Sequence, residues 1–318
     1  MLGKGRRGSR DLTQLEAEEA MTMILSGQTE PEQLGAFLML MRVKEETDAE
    51  VAGFTFAARA TLGLPTPLPA VDLDWATYAG KRRQLPWFLL SALLLSSHGI
   101  SVLMHGTDTG TAGRIYVPEA LATLGIAPAN SIADAAQNIS DTKFAYMPLH
   151  VLSPLLEHLL GLKAVLGLRS PVHTVIRMLN PFNAPASIMG IFHPGYDDTH
   201  QQASVLLGEQ NLAVFKGEGG EAERNPDSAC KVKMIRAGEM LEEEWPALFG
   251  SRHMKDEIMD VSRLRDLWHG DINDEYGQAA VTGTAAIALR MMGRAGSIAD
   301  AEALAAKFWM TRNRDYLK

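Results

Sequence analysis

The sequence has little of what secreted and membrane-bound proteins carry. Its one cysteine, Cys230, cannot form a disulfide within the chain, which fits a reducing compartment. The longest apolar run, residues 87–97, is too short to cross a bilayer, and the N-terminus has no apolar signal core. We therefore expect a cytoplasmic protein that has no membrane partner.

The sequence also lacks a positive net charge. It has 30 Lys and Arg residues against 38 Asp and Glu residues, so the formal net charge is −8. This balance argues against a protein that binds nucleic acid over its whole surface, although local patches decide binding. Two basic clusters exist, at residues 4–10 and at Lys81, Arg82 and Arg83. We expect the first to be a mobile tail, which contributes either solubility or additional positive charge.

Apolar residues recur at helical spacing in three stretches of residues 11–63, and they predict three helices. Thr29 and Thr47 each stand three residues before a glutamate, in the pattern of a capping box at a helix start. The proline-rich segment 64–69 then indicates a stiff linker. These features predict a small N-terminal helical domain, residues 1–68, without catalytic chemistry of its own.

Beyond the linker, strand-like apolar segments alternate with helical stretches, beginning with a strand, a loop, a buried helix and a second strand at residues 71–106. The expected strands include residues 100–104, 144–146, 187–192 and 212–215, and the expected helices include 117–124, 133–138, 149–160, 199–207, 272–294 and 298–312. Such alternation predicts an α/β domain, residues 70–318, with a mainly parallel central sheet covered by helices. Residues 231–235 and 239–244 are predicted to add a strand pair, with an antiparallel arrangement at an edge as one option.

Several strings in the chain resemble those of one enzyme family. Its helical domain is matched by residues 18–27, 33–38 and 41–44, and its Lys-His-Gly-Asn-Arg signature by His105-Gly106. Its Leu-Gly-x-Arg-Thr and Leu-x-Asn-Pro segments are matched by residues 166–170 and 179–181. Its His-Gly-x-Asp-Gly-x-Asp-Glu segment is matched by residues 216–223. The chain thus resembles the anthranilate phosphoribosyltransferase (TrpD)-like family, which has the glycosyltransferase family 3 fold, and within it the nonbiosynthetic YbiB-type branch. The resemblance implies a nucleoside phosphorylase/phosphoribosyltransferase-type α/β domain, a helical domain that also includes a segment near 171–182, and a homodimer formed through the helical domain.

The same resemblance implies a phosphoribosyl pyrophosphate site that has lost most of its residues. The family's Gly-Thr-Gly-Gly-Asp loop lets backbone amides approach pyrophosphate, whereas this chain has Thr-Tyr-Ala-Gly-Lys-Arg-Arg at residues 77–83. Met104, Thr107 and Asp108 replace the lysine, asparagine and arginine of the signature, and Ala222 leaves Glu223 alone at the family's second metal site. The cleft residues that still match the family are Gly80, Ser91, His105, Gly106 and Asn180.

The replaced loop predicts a different anion. Arginine side chains bind phosphates bidentately, and a loop that leads into a helix N-terminus is a common anion site. The candidate phosphate-binding residues are Lys81, Arg82, Arg83, Arg169, Arg177 and Lys216, with Tyr78 as a side chain that could stack on a base. We therefore predict a basic groove between the domains that binds DNA or RNA without sequence preference and needs no cofactor.

Other interpretations of the same residues remain open. The Lys81-Arg82-Arg83 run could be a solvated surface turn, and His105 could be a buried, hydrogen-bonded residue at a strand end. Asp271, Asp274 and Glu275 precede a long helix, so capping explains them better than a metal does. The competing function is a transferase that uses phosphoribosyl pyrophosphate and magnesium with an altered acceptor, and a third is a structural dimeric adaptor.

Overall fold

The computed structural model describes residues 2–5, 8–108, 111–193 and 195–317. Arg6 and Arg7 of the predicted basic tail lie outside this part of the chain. The chain opens with three helices, as the apolar spacing predicted: α1 (Gln14–Leu25), α2 (Pro31–Lys44) and α3 (Asp48–Ala60). Helices α1 and α3 approach closely at Gly53, where a Cβ would lie 2.2 Å from the carbonyl oxygen of Gln14, so only glycine allows this contact.

One of the two predicted helix caps is confirmed. The Thr47 Oγ1 accepts a hydrogen bond from the N–H of Glu50 at 3.3 Å, and Glu50 Oε2 accepts one from the N–H of Thr47 at 2.9 Å. The cap predicted at Thr29 is wrong by one residue. Helix α2 begins at Pro31, and the N–H of Glu30 donates to the side chain of Gln33 at 3.0 Å. Proline suits the first helical position because that residue's N–H would have no helical partner.

The described residues contain one seven-stranded sheet. Its strands are β1 (Leu73–Thr77), β2 (Val102–Gly106), β3 (Phe144–Pro148), β4 (Ala186–Ile191), β5 (Asn211–Lys216), β6 (Cys230–Arg236) and β7 (Glu239–Trp245). They lie in the order β3-β2-β1-β4-β5-β6-β7. The first five run parallel, and β5, β6 and β7 pair antiparallel. The predicted mainly parallel sheet is therefore confirmed, with the antiparallel pair at one edge.

The remaining helices cover this sheet and close the chain. They are α4 (Trp87–Ser97), α5 (Val117–Thr123), α6 (Ile132–Thr142), α7 (Leu149–Leu152), α8 (Pro154–Gly161), α9 (Lys163–Leu166), α10 (Val172–Val175), α11 (Tyr196–Leu206), α12 (Ser262–His269), α13 (Glu275–Met291) and α14 (Ile298–Thr311). Residues 149–160, predicted as one helix, form two, because Ser153 adopts extended backbone angles before Pro154. Helices α9 and α12 were not predicted.

Helix α4 lies in the middle of the core. All its residues from Trp87 to Ser96 are buried, because α4 packs between the sheet and α13. Its polar Ser91 is satisfied there by a hydrogen bond to the carbonyl of Val281 at 2.9 Å. Since the chain before α4 leaves the carboxyl end of β1, this packing fixes where the β1–α4 loop, residues 78–86, can lie. None of the helices in the described residues combines the length and hydropathy that crossing a bilayer requires.

Strand β7 forms one edge of the sheet and is acidic. Its exposed side chains include Glu239, Glu242 and Glu244. Glu242 pairs with Lys231 at 2.9 Å and with Lys233 at 3.1 Å on the neighbouring strand β6. Glu243 instead pairs with Arg290 of α13 at 2.5 Å, so only part of this acidic strand faces solvent.

Candidate functional site

The β1–α4 loop holds only two exposed cations, not the three that were predicted. Lys81 is 1% exposed, and its Nζ lies 2.5 Å from Oε1 of the fully buried Glu223. The other oxygen of Glu223 accepts a hydrogen bond from the N–H of Phe88 at 2.8 Å. Arg82 and Arg83 are exposed. The expectation that Lys81 faces a groove is therefore corrected, because its charge is neutralised inside the protein.

Glu223 is not placed as a metal ligand. Both of its oxygens are engaged by Lys81 and by the start of α4, and burial raises the pKa of its carboxyl to about 7 against the lowering effect of Lys81. Among the described residues there is no group of three or more His, Cys, Asp or Glu side chains that could hold a metal ion. Asp274 caps α13 by accepting the N–H of Gly277 at 2.7 Å, as predicted.

A second side-chain carboxyl group, that of Glu221, binds the backbone amides of the β1–α4 loop. Oε1 of Glu221 accepts hydrogen bonds from the N–H of Ala79 at 2.7 Å and from that of Gly80 at 2.6 Å. Glu221 is 1% exposed, and burial raises the pKa of its carboxyl while these two amides and Arg177 act in the opposite direction. The backbone donors that would form an anion-binding nest thus already hold an anion that belongs to the chain.

Tyr78 and His105 form a buried chain of hydrogen bonds. The Tyr78 hydroxyl lies 2.7 Å from His105 Nδ1, and His105 Nε2 lies 3.3 Å from Asp74 Oδ2. Tyr78 is 7% exposed and His105 is fully buried. Tyr78 borders the cavity that Lys163 and Arg169 also line, but it is almost wholly buried and its hydroxyl is held by His105, so the structure does not favour the predicted stacking on a base. His105 corresponds to the alternative of a hydrogen-bonded residue in the interior.

The other residues that match the family are structural in the same way. The Asn180 side-chain amide donates to the carbonyl of Ala184 at 2.9 Å and to Glu209 at 3.3 Å. A Cβ at Gly106 would lie 2.2 Å from the carbonyl oxygen of Thr77, and Gly80 has a φ of +66°. Ser91 likewise donates to the carbonyl of Val281 inside the core. These residues therefore stabilise the structure around the site and present no polar group to a ligand.

Four arginines meet in a cavity of about 240 Å³ at the carboxyl ends of the parallel strands. We call this cavity the arginine cleft. Its lining includes Ala79 after β1, Ile191 and Phe192 at the end of β4, and Gly219 and Gly220 after β5, and it is closed by side chains of the helical layer. Its cations are Arg42, Arg114, Arg169 and Arg177. The structure thus places two predicted residues, Arg169 and Arg177, in one cleft.

Lys216 does not belong to this group. It is exposed at the end of β5 and lines another cavity together with Asp197, Asp198 and Lys233. Lys163, in contrast, borders a cavity that shares Arg169 and His173 with the arginine cleft, and its Nζ donates to Thr111 at 3.2 Å. The expectation that Lys216 extends the same basic surface is corrected, and Lys163 takes that place.

The cations of the cleft outnumber Glu46, the one carboxylate of its lining, whose pKa is raised by burial and lowered by Arg42. Within the part of the chain that the structure describes, Arg42, Arg114, Lys163, Arg169 and Arg177 form no ion pair with any carboxylate. Burial, and then the neighbouring Arg169 and Arg114, lower the pKa of Lys163. Burial and Arg114 likewise lower the pKa of Arg169. Mutual repulsion of this kind favours the binding of an anion.

Other groups of the cleft position these cations. Nη1 of Arg114 donates to the carbonyls of Ala79 at 2.8 Å and Gly80 at 3.1 Å, and Nη1 of Arg42 lies 3.2 Å from the hydroxyl of Tyr196. Burial, Arg177 and Arg169 lower the pKa of His173 to about 3. His173 is therefore neutral near pH 7 and adds no further positive charge.

Arg42, Arg114 and Lys163 were missed because no motif connects them. They come from α2, from the chain between β2 and α5, and from the start of α9. Arg42 does lie in a string that resembles the family, but that string predicts a helix and not a ligand contact. Only the folded chain brings these residues to one place.

The chain is similar in sequence to known proteins of one family. Residues 1–62 match the model of the "Glycosyl transferase family, helical bundle domain". An uncharacterized protein of Aquifex aeolicus is 31% identical over 262 residues, which cover 81% of this chain and 78% of that protein. The uncharacterized protein YbiB of Escherichia coli is 26% identical over 241 residues, 74% of each chain.

The fold agrees with these relatives. The crystal structure of anthranilate phosphoribosyltransferase (TrpD) from Thermus thermophilus superposes with a TM-score of 0.82 at 22% identity, over 94% of this chain and 92% of that one. The predicted family and fold class are thereby confirmed. The chain belongs to the TrpD-like, YbiB-type proteins of the glycosyltransferase family 3 fold.

Proposed function

We propose that this chain is a TrpD-like protein whose phosphoribosyl pyrophosphate site is closed by its own side chains, and that it binds nucleic acid through phosphate contacts in the arginine cleft. One observation carries the proposal: five cations lie at or beside one cleft whose lining holds a single carboxylate, Glu46, and none of the five forms an ion pair among the described residues: Arg42, Arg114, Lys163, Arg169 and Arg177. Partly buried guanidinium groups without an ion-pair partner bind phosphate oxygens strongly and bidentately.

Closure of the ancestral site supports the first half of the proposal. A pyrophosphate in the β1–α4 loop would need the amides of Ala79 and Gly80, which already donate to Glu221. A magnesium ion would need Glu223, which pairs with Lys81. The pyrophosphate would have to displace the buried Glu221 carboxyl group from both of these amides. In this proposal the β1–α4 loop therefore binds side chains of the protein itself and no pyrophosphate.

A phosphate chain is a better match for the remaining cations than one small anion. Arg82 and Arg83 are exposed on the loop whose residue Ala79 lines the cleft, and the proposal includes them as further phosphate contacts on the surface. Contacts with phosphate carry no base information, so binding is expected to be independent of sequence and to weaken steeply with salt. The proposal covers DNA and RNA alike.

A homodimer formed through the helical domain belongs to the same proposal. Leu15 and Met23 on α1 and Leu40 and Val43 on α2 are large apolar side chains that are exposed in the single chain. A second copy that covers them would bring two arginine clefts into one particle. A strand that reaches both clefts would be held with higher avidity than either cleft provides.

Fluorescence anisotropy with a labelled mixed-sequence oligonucleotide tests the binding. We expect Arg114→Ala combined with Arg169→Ala to lower affinity by about ten-fold or more and to reduce the salt slope, because each lost phosphate contact releases one counterion fewer. The matched control is Arg294→Ala, which removes an exposed arginine that lines none of the described cavities. Equal affinity of the double variant and the parent would refute the proposal.

An altered transferase is the second candidate, and the small size of the cleft favours it. A cavity of about 240 Å³ admits one small molecule. Under this alternative the chain would bind phosphoribosyl pyrophosphate with magnesium and release pyrophosphate when an amine acceptor is added. Calorimetry with that ligand, with and without magnesium, separates the two: micromolar binding or any pyrophosphate release supports the transferase, and neither is expected here.

A further inference from the structure

Phe192 is a half-exposed aromatic side chain at the arginine cleft. It follows β4 directly, lines the cleft and is 50% exposed. Its ring meets that of His193 edge to face, with the centroids 5.0 Å apart. The backbone of Gly220 lies beside it, since a Cβ built on Gly220 would come within 3.2 Å of the Cβ of Phe192. Phe192 is thus packed against its neighbours on part of its surface, and half of it remains accessible to a ligand.

The exposure of Phe192 is relevant to binding because of where the residue lies. Single exposed apolar side chains are ordinary on protein surfaces and need no explanation. Phe192, however, lines the same cavity as Arg169 and Arg177. Inorganic phosphate or a carboxylate would use the arginines and leave the ring in water. A ligand that uses both carries negative charge and a flat ring within one short unit, as a nucleotide does.

We propose that Phe192 stacks on an unpaired base of a single-stranded nucleic acid whose phosphates are held by Arg114, Arg169 and Arg177. This inference rests on the proposed function and names its ligand. Aromatic side chains stack on the faces of bases in single strands, and they do so with little regard to sequence. In a duplex those faces are covered by neighbouring base pairs, so Phe192 would have nothing to stack on.

The size of the cleft agrees with a base and not with a helix. A cavity of about 240 Å³ is smaller than the sites of drug-sized ligands, which span roughly 300–1,000 Å³. A cavity of this size has room for one base or one phosphate group, and Phe192 is a half-exposed aromatic side chain of its lining. The bases of a duplex are already stacked, so a duplex would offer this cavity only its phosphates. The chain should therefore prefer single strands.

The test measures anisotropy on the full chain with three labelled probes: a mixed-sequence single strand, its blunt duplex, and an abasic single strand of equal length and charge. The variants are Phe192→Ala, Phe192→Trp and Arg169→Ala. Met310→Ala is the matched control because Met310 is an exposed apolar side chain of α14 outside the cleft. Circular dichroism melts show that each variant is folded before binding is compared.

We expect Phe192→Ala to lower affinity for the single strand by about ten-fold while leaving the duplex and the abasic strand within about two-fold of the parent. Phe192→Trp keeps the affinity, and its tryptophan fluorescence is quenched when the single strand binds. If Phe192→Ala binds the single strand as the parent does, or loses affinity equally for all three probes, the stacking role is refuted. That result leaves nucleic-acid binding intact as long as Arg169→Ala still weakens it, whereas a parent that binds no probe refutes the proposed function itself.

Discussion

Glu221 lies directly against Gly80, with its Oε1 2.6 Å from the Gly80 backbone nitrogen, and it holds the neighbouring amide of Ala79 in the same way. The carboxylate therefore sits where a bound anion would sit in an open loop. Under the proposed function, this contact replaces a bound ligand with a side chain of the protein and fixes the loop. The stability of the fold should therefore depend on this carboxylate.

Replacing Glu221 with alanine is expected to lower the free energy of unfolding by about 2–4 kcal/mol, because two buried amides lose their acceptor. Glu221→Gln retains an acceptor oxygen and should lose less than half as much. Urea unfolding followed by circular dichroism measures both. An alanine variant as stable as the parent would show that water replaces the carboxylate at no cost.

Lys81 and Glu223 are expected to act as one unit in stability. Lys81→Met leaves a buried carboxylate without its partner, which costs about 3–5 kcal/mol, whereas Lys81→Met with Glu223→Leu should recover most of that loss. A double-mutant cycle in urea measures the coupling. Nucleic-acid affinity of the double variant should equal that of the parent, because Lys81 does not reach the cleft surface. Loss of affinity in the double variant, with stability restored, would contradict the buried position of Lys81.

We expect Arg169 to lower the stability of the fold and to strengthen the binding of nucleic acid. Since its neighbours Arg114 and Arg42 repel it, Arg169→Gln should raise the free energy of unfolding, by less than about 1 kcal/mol because solvent screens the partly exposed charge. The same variant should bind the oligonucleotide more weakly. Arg114→Gln is the contrast, because it also removes hydrogen bonds to Ala79 and Gly80 and should destabilise the fold. A less stable Arg169→Gln would mean that the cation cluster is not under repulsion.

His173 makes stability depend on pH. Its folded pKa of about 3 lies below the ordinary value of 6.5, so the unfolded chain binds the proton more readily. The folded form is therefore fully favoured above pH 6.5, and this contribution is lost as the pH falls from 6.5 toward 3. His173→Gln should flatten the fall in stability over that range, measured by urea unfolding at several pH values. In Arg169→Gln the pKa of His173, followed by NMR, should rise because one repelling charge is gone.

The order of elements was predictable because it depends on local spacing. Short apolar segments that alternate with helical stretches predicted the parallel strands and the antiparallel pair. This was possible because a buried strand needs a short apolar run and a helix needs apolar residues at helical spacing. The break between α7 and α8 was missed although Pro154 signals it, because a proline disfavours helical angles in the residue before it. Helix α12 was missed although its buried Leu264, Leu267 and Trp268 stand at helical spacing, because its eight residues carry only one repeat of that pattern.

The site was predictable only in part, because it depends on distant partners. Arg169 and Arg177 were found from a resemblance, and the structure places them in the cleft. Lys81 looked identical to Arg82 and Arg83 in the sequence, yet its partner Glu223 stands 142 positions later and takes it into the interior. No local pattern distinguishes a lysine that meets water from one that meets a buried carboxylate.

The acidic strand β7 has a consequence for how the molecule behaves in concentrated solution. A free sheet edge is a template on which another chain can add a strand. Glu239, Glu242 and Glu244 are exposed along this edge, so an identical edge brought alongside would set glutamates of both copies against one another. Repulsion between these glutamates disfavours the addition of a strand from a second copy at this edge, although Lys231 and Lys233 offset part of the charge of Glu242.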